Sequence, residues 1–377
     1  MIGSEEIRTI IDRYDTNNIT IGVLGSHCAL DVCRGAKDEG FATLVVCEKG
    51  REKTYSQYYK TSGSTGIVDE VIVLEKFNHI LDNSVQQKLR DKNIIFVPNR
   101  SFEVYLNFDY ETIENRFFVP LFGNRFLLKA EERNQKNNQY DLLKKSHIRM
   151  PKIFDTWEAI DQLCLVKIPE KTRTFERSFF VCSSPQEFEK IMKTKIDNNE
   201  IDQHQIHQAV IEEFIIGSLV NFNYFYSPLS QRVELLGTDI RKQTNLDGFL
   251  RLTADMQLLL KDTFKPKFEE AGHIAVTVLE SLLEKVFDLG EKFTTVTQQE
   301  YAPGIIGPFA LQSMITPGPP HKDITVFDVS LRMPGSPGIM FTPYTYYQYG
   351  MALSAGRRIA MEIKRALKEN RLQEVVT

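Results

Sequence analysis

Several short stretches of the chain carry side chains that could do chemistry. Gly25-Ser26-His27 stands in the turn after an apolar, β-branched run (19–25) and directly before a helical pattern. Such a turn in a parallel sheet offers free N–H groups and the positive end of a helix dipole to a phosphate. It serves equally as a plain tight turn with Ser26 as the helix cap. It is not a GxGxxG fingerprint, since the only glycines are Gly22 and Gly25. Lys167 interrupts the apolar run Val166-Lys167-Ile168. An ammonium there needs an anion such as a nucleotide phosphate, or water at a sheet edge. Glu212 and Glu213 are followed by Phe214-Ile215-Ile216-Gly217. Adjacent strand residues face opposite sides, so one of the two acids faces a site, and the backbone of such a segment can grip an adenine edge. Gln312 and Asp328 fall on neighbouring strand candidates, with Arg332 four residues further on. A carboxylate on a half-buried strand needs a partner, either Mg²⁺ bound to nucleotide phosphates or a neighbouring arginine. Arg332, on Asp328's face by strand alternation, could instead hold an anionic intermediate. Asp202, His204 and His207 are faintly metal-like, but their polar surroundings read as a solvated helix start.

The elements that must position these groups follow from periodicity. In the N-terminal third, strands at 19–25, 42–48, 70–77 and 93–99 alternate with helices at 28–40 and 85–92. That is βαβ patterning, with right-handed crossovers and a parallel sheet. Residues 1–125 are therefore expected to form an open, Rossmann-like α/β domain. From residue 126 the texture changes. A polar helix is expected within 131–148, antiparallel strands at 163–169 and 178–183, and an amphipathic helix at 185–195 with Pro185 in its first turn. Strands follow at 209–217, 219–228 and 232–241, then a long helix at 276–296, strands at 307–316 and 323–332, and a last helix at 354–370. The later two-thirds thus reads as α+β with mostly antiparallel sheet.

Composition narrows the class of function. The chain has 377 residues, 42% of them hydrophobic, and a net charge of −4 from 46 basic and 50 acidic residues. Such a chain folds without staples, and its charge argues against a nucleic-acid protein held by a basic field. No run of 18 apolar residues suits a membrane helix, and the charged start Met1–Asp15 lacks the apolar core of a signal peptide. The five cysteines form no CxxC and mostly sit in apolar runs, which fits buried, reduced thiols in the cytoplasm.

Taken in order, Gly25-Ser26-His27, Phe122-Gly123-Asn124-Arg125, Val166-Lys167, Ile211-Glu212-Glu213, FNYFYSPL (222–229), VELLGTDIR (233–241), ESLLEKVFDLGEK (280–292), GPFALQS (307–313) and GRRIAMEIKRAL (356–367) resemble one family over nearly the whole chain. It is the archaeal FAICAR synthetase (formate–phosphoribosylaminoimidazolecarboxamide ligase) family of the ATP-grasp superfamily. The resemblance implies a pre-ATP-grasp Rossmann-like domain at 1–125, a small nucleotide-binding subdomain at 126–217 and a catalytic subdomain at 218–377. It implies ATP and Mg²⁺ as cofactors, formate and the ribonucleotide AICAR as substrates, and formyl phosphate as intermediate in purine (IMP) biosynthesis. Neither nucleic acid nor membrane is implied as a partner, whereas assembly with copies of itself is. By the same resemblance His27 and Ser101 contact AICAR, as does His273, which stands where the family tends to have an asparagine; Lys167 meets ATP phosphates, and Glu212 or Glu213 meets adenosine. Gln312 and Asp328 would hold Mg²⁺, Asp328 in place of the family's usual glutamate, and Arg332 is catalytic. Two segments depart from the family pattern. The loop 169–178 has no glycine, leaving Lys171, Arg173 and Arg177 as candidate phosphate cations, and Met333–Gly338 carries neither acid nor amide. The same motifs also suit a diverged ATP-grasp ligase with another carboxylate and amine, or a non-catalytic nucleotide-binding paralogue.

Overall fold

The computed structural model describes residues 2–169, 177–261, 263–264, 269–318 and 320–377. The glycine-free loop at 170–176 lies outside them, Lys171 and Arg173 included. The chain divides into two compact units, one of Met1–Ile148, Val220–Gln312 and Asp328–Thr377, the other of Arg149–Leu219 and Ser313–Phe327.

The larger unit begins with strands β1 (Thr20–Leu24), β2 (Ala42–Glu48), β3 (Glu70–Leu74) and β4 (Ile94–Val97). They form a parallel sheet in the order β3-β2-β1-β4, as the alternation of short strands and helices predicts. Helix Ala29–Asp38 makes the first crossover and buries Ala29, Val32, Cys33 and Ala36. Its outer face meets the late helix Ala355–Lys368, which buries Ile359, Ile363 and Ala366 into the same core. Two glycines permit that approach. A Cβ on Gly35 would collide with the backbone of Gly356 and Arg357, and one on Gly356 with the backbone of Asp31 and Val32.

The smaller unit holds β5 (Ile153–Phe154), β6 (Cys164–Pro169), β7 (Arg177–Cys182) and β8 (Val210–Glu213), antiparallel in the order β5-β8-β6-β7. Cys164, Val166 and Ile168 alternate into a core with Phe188, Met192 and Ile211. That alternation turns Lys167 to the opposite face. Helix Pro185–Asp197 starts at Ser184, whose hydroxyl accepts the Glu187 N–H, a cap that satisfies one orphan donor.

A third sheet has the order β11-β10-β9-β12-β13, made of β9 (Ser218–Ser227), β10 (Arg232–Gln243), β11 (Glu270–Val276), β12 (Gly307–Thr316) and β13 (Asp323–Ser330).

Four sequence expectations are corrected. Residues 270–276 form strand β11, and the long helix runs Leu283–Glu300 rather than 276–296. The strand expected at 209–217 stops at Glu213. The polar helix expected within 131–148 is confined to Gln139–Lys145 because Asn138 caps it, its side chain accepting the N–H groups of Tyr140 and Asp141. Asp328 and Arg332 do not share a strand face, because β13 ends at Ser330 and the alternation ends with it. The thiols are as expected: all five cysteines are buried and unpaired.

Candidate active site

In the larger unit the turn after β1 places His27 at φ +54°, a left-handed backbone that most residues avoid. Asn99 fixes this turn. Its side-chain amide donates to the carbonyls of Leu24 and Ser26 at 3.0 and 3.3 Å, while its oxygen caps helix Arg100–Tyr105 through the Phe102 N–H. That helix carries the buried Ser101, so one asparagine locks two predicted nucleotide contacts to the same strand end. His27 lies against Gly335, where an added Cβ would stand 2.5 Å from its Nε2. Within the segment 333–338 it is thus Gly335 that leaves the ring its room.

Arg332 is held by carboxylates. Its Nε lies 3.2 Å from Glu103 and its Nη2 2.9 Å from Glu131, and Arg100 reaches Glu103 at 3.0 Å. Glu131 also accepts the Leu331 N–H at 2.6 Å, and Gln139 accepts the Val329 N–H at 2.9 Å. Backbone donors at the end of the edge strand β13 are thus taken up by side chains from 131–139, which fixes the course of the chain from Asp328 to Arg332. Asp328 pairs with Arg133 at 3.0 Å rather than with Arg332. Gln312 is buried on β12, the neighbouring strand.

His273, on β11, faces Asp239 through Nδ1 at 2.5 Å and Glu270 through Nε2 at 3.0 Å. Asp239 is fixed in turn by the amides of Asn221 (3.0 Å) and Asn223 (2.6 Å). The two histidines are driven apart in charge. Burial, reinforced by Arg332, pushes His27 down to about 4. Although burial pulls His273 down, its bonds to Asp239 and Glu270 hold it up at about 9. At pH 7 a neutral imidazole and an imidazolium therefore coexist, a separation typical of sites that handle protons and anions at once. Titration followed by imidazole NMR is expected to place one histidine near 4 and another near 9; two ordinary values near 6.5 would contradict the geometry.

In the smaller unit Lys167 and Glu212 form an ion pair, both side chains being almost fully buried. The pairing Leu165↔Glu212 and Lys167↔Val210 makes them diagonal neighbours on one face of β6 and β8. Glu213 is turned the other way, and its carboxylate accepts the Lys152 N–H at 3.1 Å. Of the two adjacent acids, Glu212 is the one beside Lys167.

Two family models match the chain: one described as a domain of unknown function (DUF1297), over residues 187–377, and one described as a protein of unknown function (DUF1246), over 21–154. The chain is 39% identical over 377 residues, all of both chains, to the 5-formaminoimidazole-4-carboxamide-1-(beta)-D-ribofuranosyl 5'-monophosphate synthetase of Methanopyrus kandleri. The chain belongs to this synthetase family. The crystal structure of an IMP biosynthesis protein PurP from Thermococcus kodakaraensis matches with a TM-score of 0.70 at 28% identity, covering 95% of this chain and 100% of that one. The biotin carboxylase domain of Hydrogenobacter thermophilus 2-oxoglutarate carboxylase, solved with MgADP, matches with a TM-score of 0.58 at 12% identity, covering 90% of this chain and 69% of that one. The fold is ATP-grasp.

Within the FAICAR synthetase family frame, the donors available to Mg²⁺ are Asp328, whose side chain is 25% exposed, and the buried amide of Gln312. Mg²⁺ accepts one or two protein oxygens when phosphates and water supply the rest. Two such oxygens would suit an ion whose other ligands come from phosphate and water. His204 and His207 lie in a polar 3₁₀ turn, Gln203–Gln208, with Asp202 just before it. Sequence reasoning missed Asn99, Glu103, Glu131, Asp239 and Glu270. The one legible signal was Asn221-x-Asn223, two amides on one face of an apolar strand. Side chains of Glu103, Asn221 and Ser336 each keep a buried oxygen without a hydrogen-bond partner, which fits a region built to receive a polar ligand.

Proposed function

We propose that the chain is an ATP- and formate-dependent ligase that formylates the amine of AICAR to FAICAR through formyl phosphate, in IMP biosynthesis. Its main support is likeness over the full length of both chains to an enzyme named for that product. Formate is a poor electrophile, and phosphorylation supplies a leaving group. Lys167 neutralises ATP phosphate, with Glu212 orienting its ammonium and Glu212 or Glu213 meeting adenosine. Mg²⁺, held by Gln312 and Asp328, would supply charge neutralisation at the transferring phosphoryl group. Arg332, its guanidinium fixed by Glu103 and Glu131, faces the anionic intermediate. His27, Ser101 and His273 hold AICAR. The aromatic amine is a weak nucleophile, so much of the acceleration comes from holding it against the acyl phosphate.

The same proposal assigns residues 1–125 to the pre-ATP-grasp domain, 126–217 to the small nucleotide subdomain and 218–377 to the catalytic subdomain. It places the protein in the cytoplasm as an assembly of its own copies. Among the described residues no helix is long and apolar enough to cross a membrane.

The test is phosphate release from ATP with each substrate pairing. Release is expected only with formate and AICAR together, with FAICAR formed in equal amount. Release with a different acid would point to a diverged ligase. ATP binding without turnover under every pairing would point to a non-catalytic paralogue.

A further inference from the structure

The two carboxylates on His273 differ in kind. Asp239 is 1% exposed and accepts two amide hydrogen bonds besides the imidazole. It is a fixed acceptor on the central part of β10. Glu270 stands at the first residue of β11, with its side chain 39% exposed. Its other partner is Arg241, whose Nε is 3.7 Å away, beyond hydrogen-bond distance. Glu270 and His273 are three residues apart on a strand, so alternation alone would send them to opposite faces. A bulge reverses this. The pairing runs Arg241↔His273 and Lys242↔Gly272, then Gln243↔Glu270, leaving Ala271 as the extra residue. Gly272 takes φ +148°, a conformation side chains disfavour. The irregularity re-aims Glu270 onto the imidazole, which is what bulges beside functional sites commonly do.

We propose that Asp239 and Glu270 are positioning residues for His273, and that Glu270 is the displaceable one, an ion-pair partner 3.0 Å from Nε2 that makes no hydrogen bond there and gives way when an acceptor oxygen of the ribonucleotide takes the Nε2–H. This rests on the reading above that His273 meets AICAR. The chemistry is that of one donor and two competing acceptors. Asp239 keeps a proton on Nδ1 and fixes the ring plane. Nε2–H then points at whichever acceptor is better placed, and only Glu270 has solvent into which to withdraw. The charged groups around the ring are Asp239 from β10, Glu270 from β11 itself, with Arg241 of β10 beyond it, and His27 from the turn after β1. With two carboxylates against it the imidazolium persists through neutral pH, so the exchange trades one anionic acceptor for another.

The experiment is calorimetric titration of AICAR into the unaltered protein and into Glu270→Gln at pH 7, with ¹⁵N imidazole NMR of both. A neutral amide competes less well for Nε2–H than a carboxylate. Glu270→Gln is therefore expected to bind AICAR about fivefold or more tightly, and AICAR is expected to shift the His273 Nε2 signal and leave Nδ1 in place. Asp239→Asn, where it folds, is expected to weaken AICAR binding about tenfold and to move the His273 titration down toward 6.5. Unchanged or weaker AICAR binding by Glu270→Gln, in a protein whose unaltered form binds AICAR and makes FAICAR, overturns the exchange alone. An unaltered protein that binds no AICAR overturns the functional reading, and the exchange falls with it.

Discussion

Lys167→Met is expected to abolish ATP binding and to lower stability by about 3–5 kcal/mol, the cost of removing one partner of a buried ion pair. Lys167 and Glu212 are 7% and 3% exposed, so neither charge is screened by bulk water. The substitution removes the ammonium beside the buried Glu212 carboxylate. The second substitution, Glu212→Leu on top of Lys167→Met, is expected to restore most of the lost stability, since an apolar pair of similar volume replaces a buried ionic one at little cost. It is not expected to restore ATP binding, because the phosphate loses its cation in both variants. Urea unfolding and ATP calorimetry on the single and double variants separate the two effects. Recovery of ATP binding in the double variant would show that Lys167 matters for packing alone.

Arg332→Met is expected to lower kcat by about 10²–10³-fold, the range for loss of one fixed electrostatic contact to a developing anion. The stability loss in this variant should depend on pH. Glu103 and Glu131 are 0% and 8% exposed and share Arg332. Burial pushes the Glu131 carboxyl up to about 7 even with Arg332 pulling it down. A carboxyl that ionises less readily in the folded than in the unfolded chain holds its proton longer when folded. Stability therefore falls as pH rises from the unfolded value near 4.5 through 7. Without Arg332 that pull disappears, the folded value climbs further, and the window widens upward. The gap in unfolding free energy between Arg332→Met and the unaltered protein should accordingly be larger at pH 8 than at pH 5. An equal gap at both values would mean the two carboxylates do not depend on Arg332.

Much of the scaffold was legible because it rests on local patterns. The run ITIGVLG followed by an amphipathic helix and ATLVVCE specifies a parallel βαβ unit, and β6 and β7 pair as their alternation suggests. The site was legible only where a polar residue breaks an apolar run, as at Lys167 and Glu212. Arg332 was put on Asp328's face because strand alternation was carried two residues past the end of β13. Its true partners, Glu103 and Glu131, are more than 200 positions away in sequence and lie in segments with no motif of their own. Glu270 was hidden for the opposite reason. It is close to His273 in sequence, but only a bulge places both on one face, and bulges leave little trace beyond a glycine. The long helix was started at 276, too early by seven residues, and the strand 270–276 before it was not read at all.

The pair of facing glycines, Gly35 and Gly356, has a bearing on how the molecule is made. The first crossover helix is covered by one that emerges from the ribosome more than three hundred residues later. Until then Val32, Cys33 and Ala36 lack their lid of Ile359, Ile363 and Ala366. The earliest-synthesised layer must therefore wait, partly bare, for nearly the whole of translation. Nascent chains held on the ribosome should recruit chaperones that protect sticky surface, and the released full-length chain, with Ala355–Lys368 free to dock, should shed them.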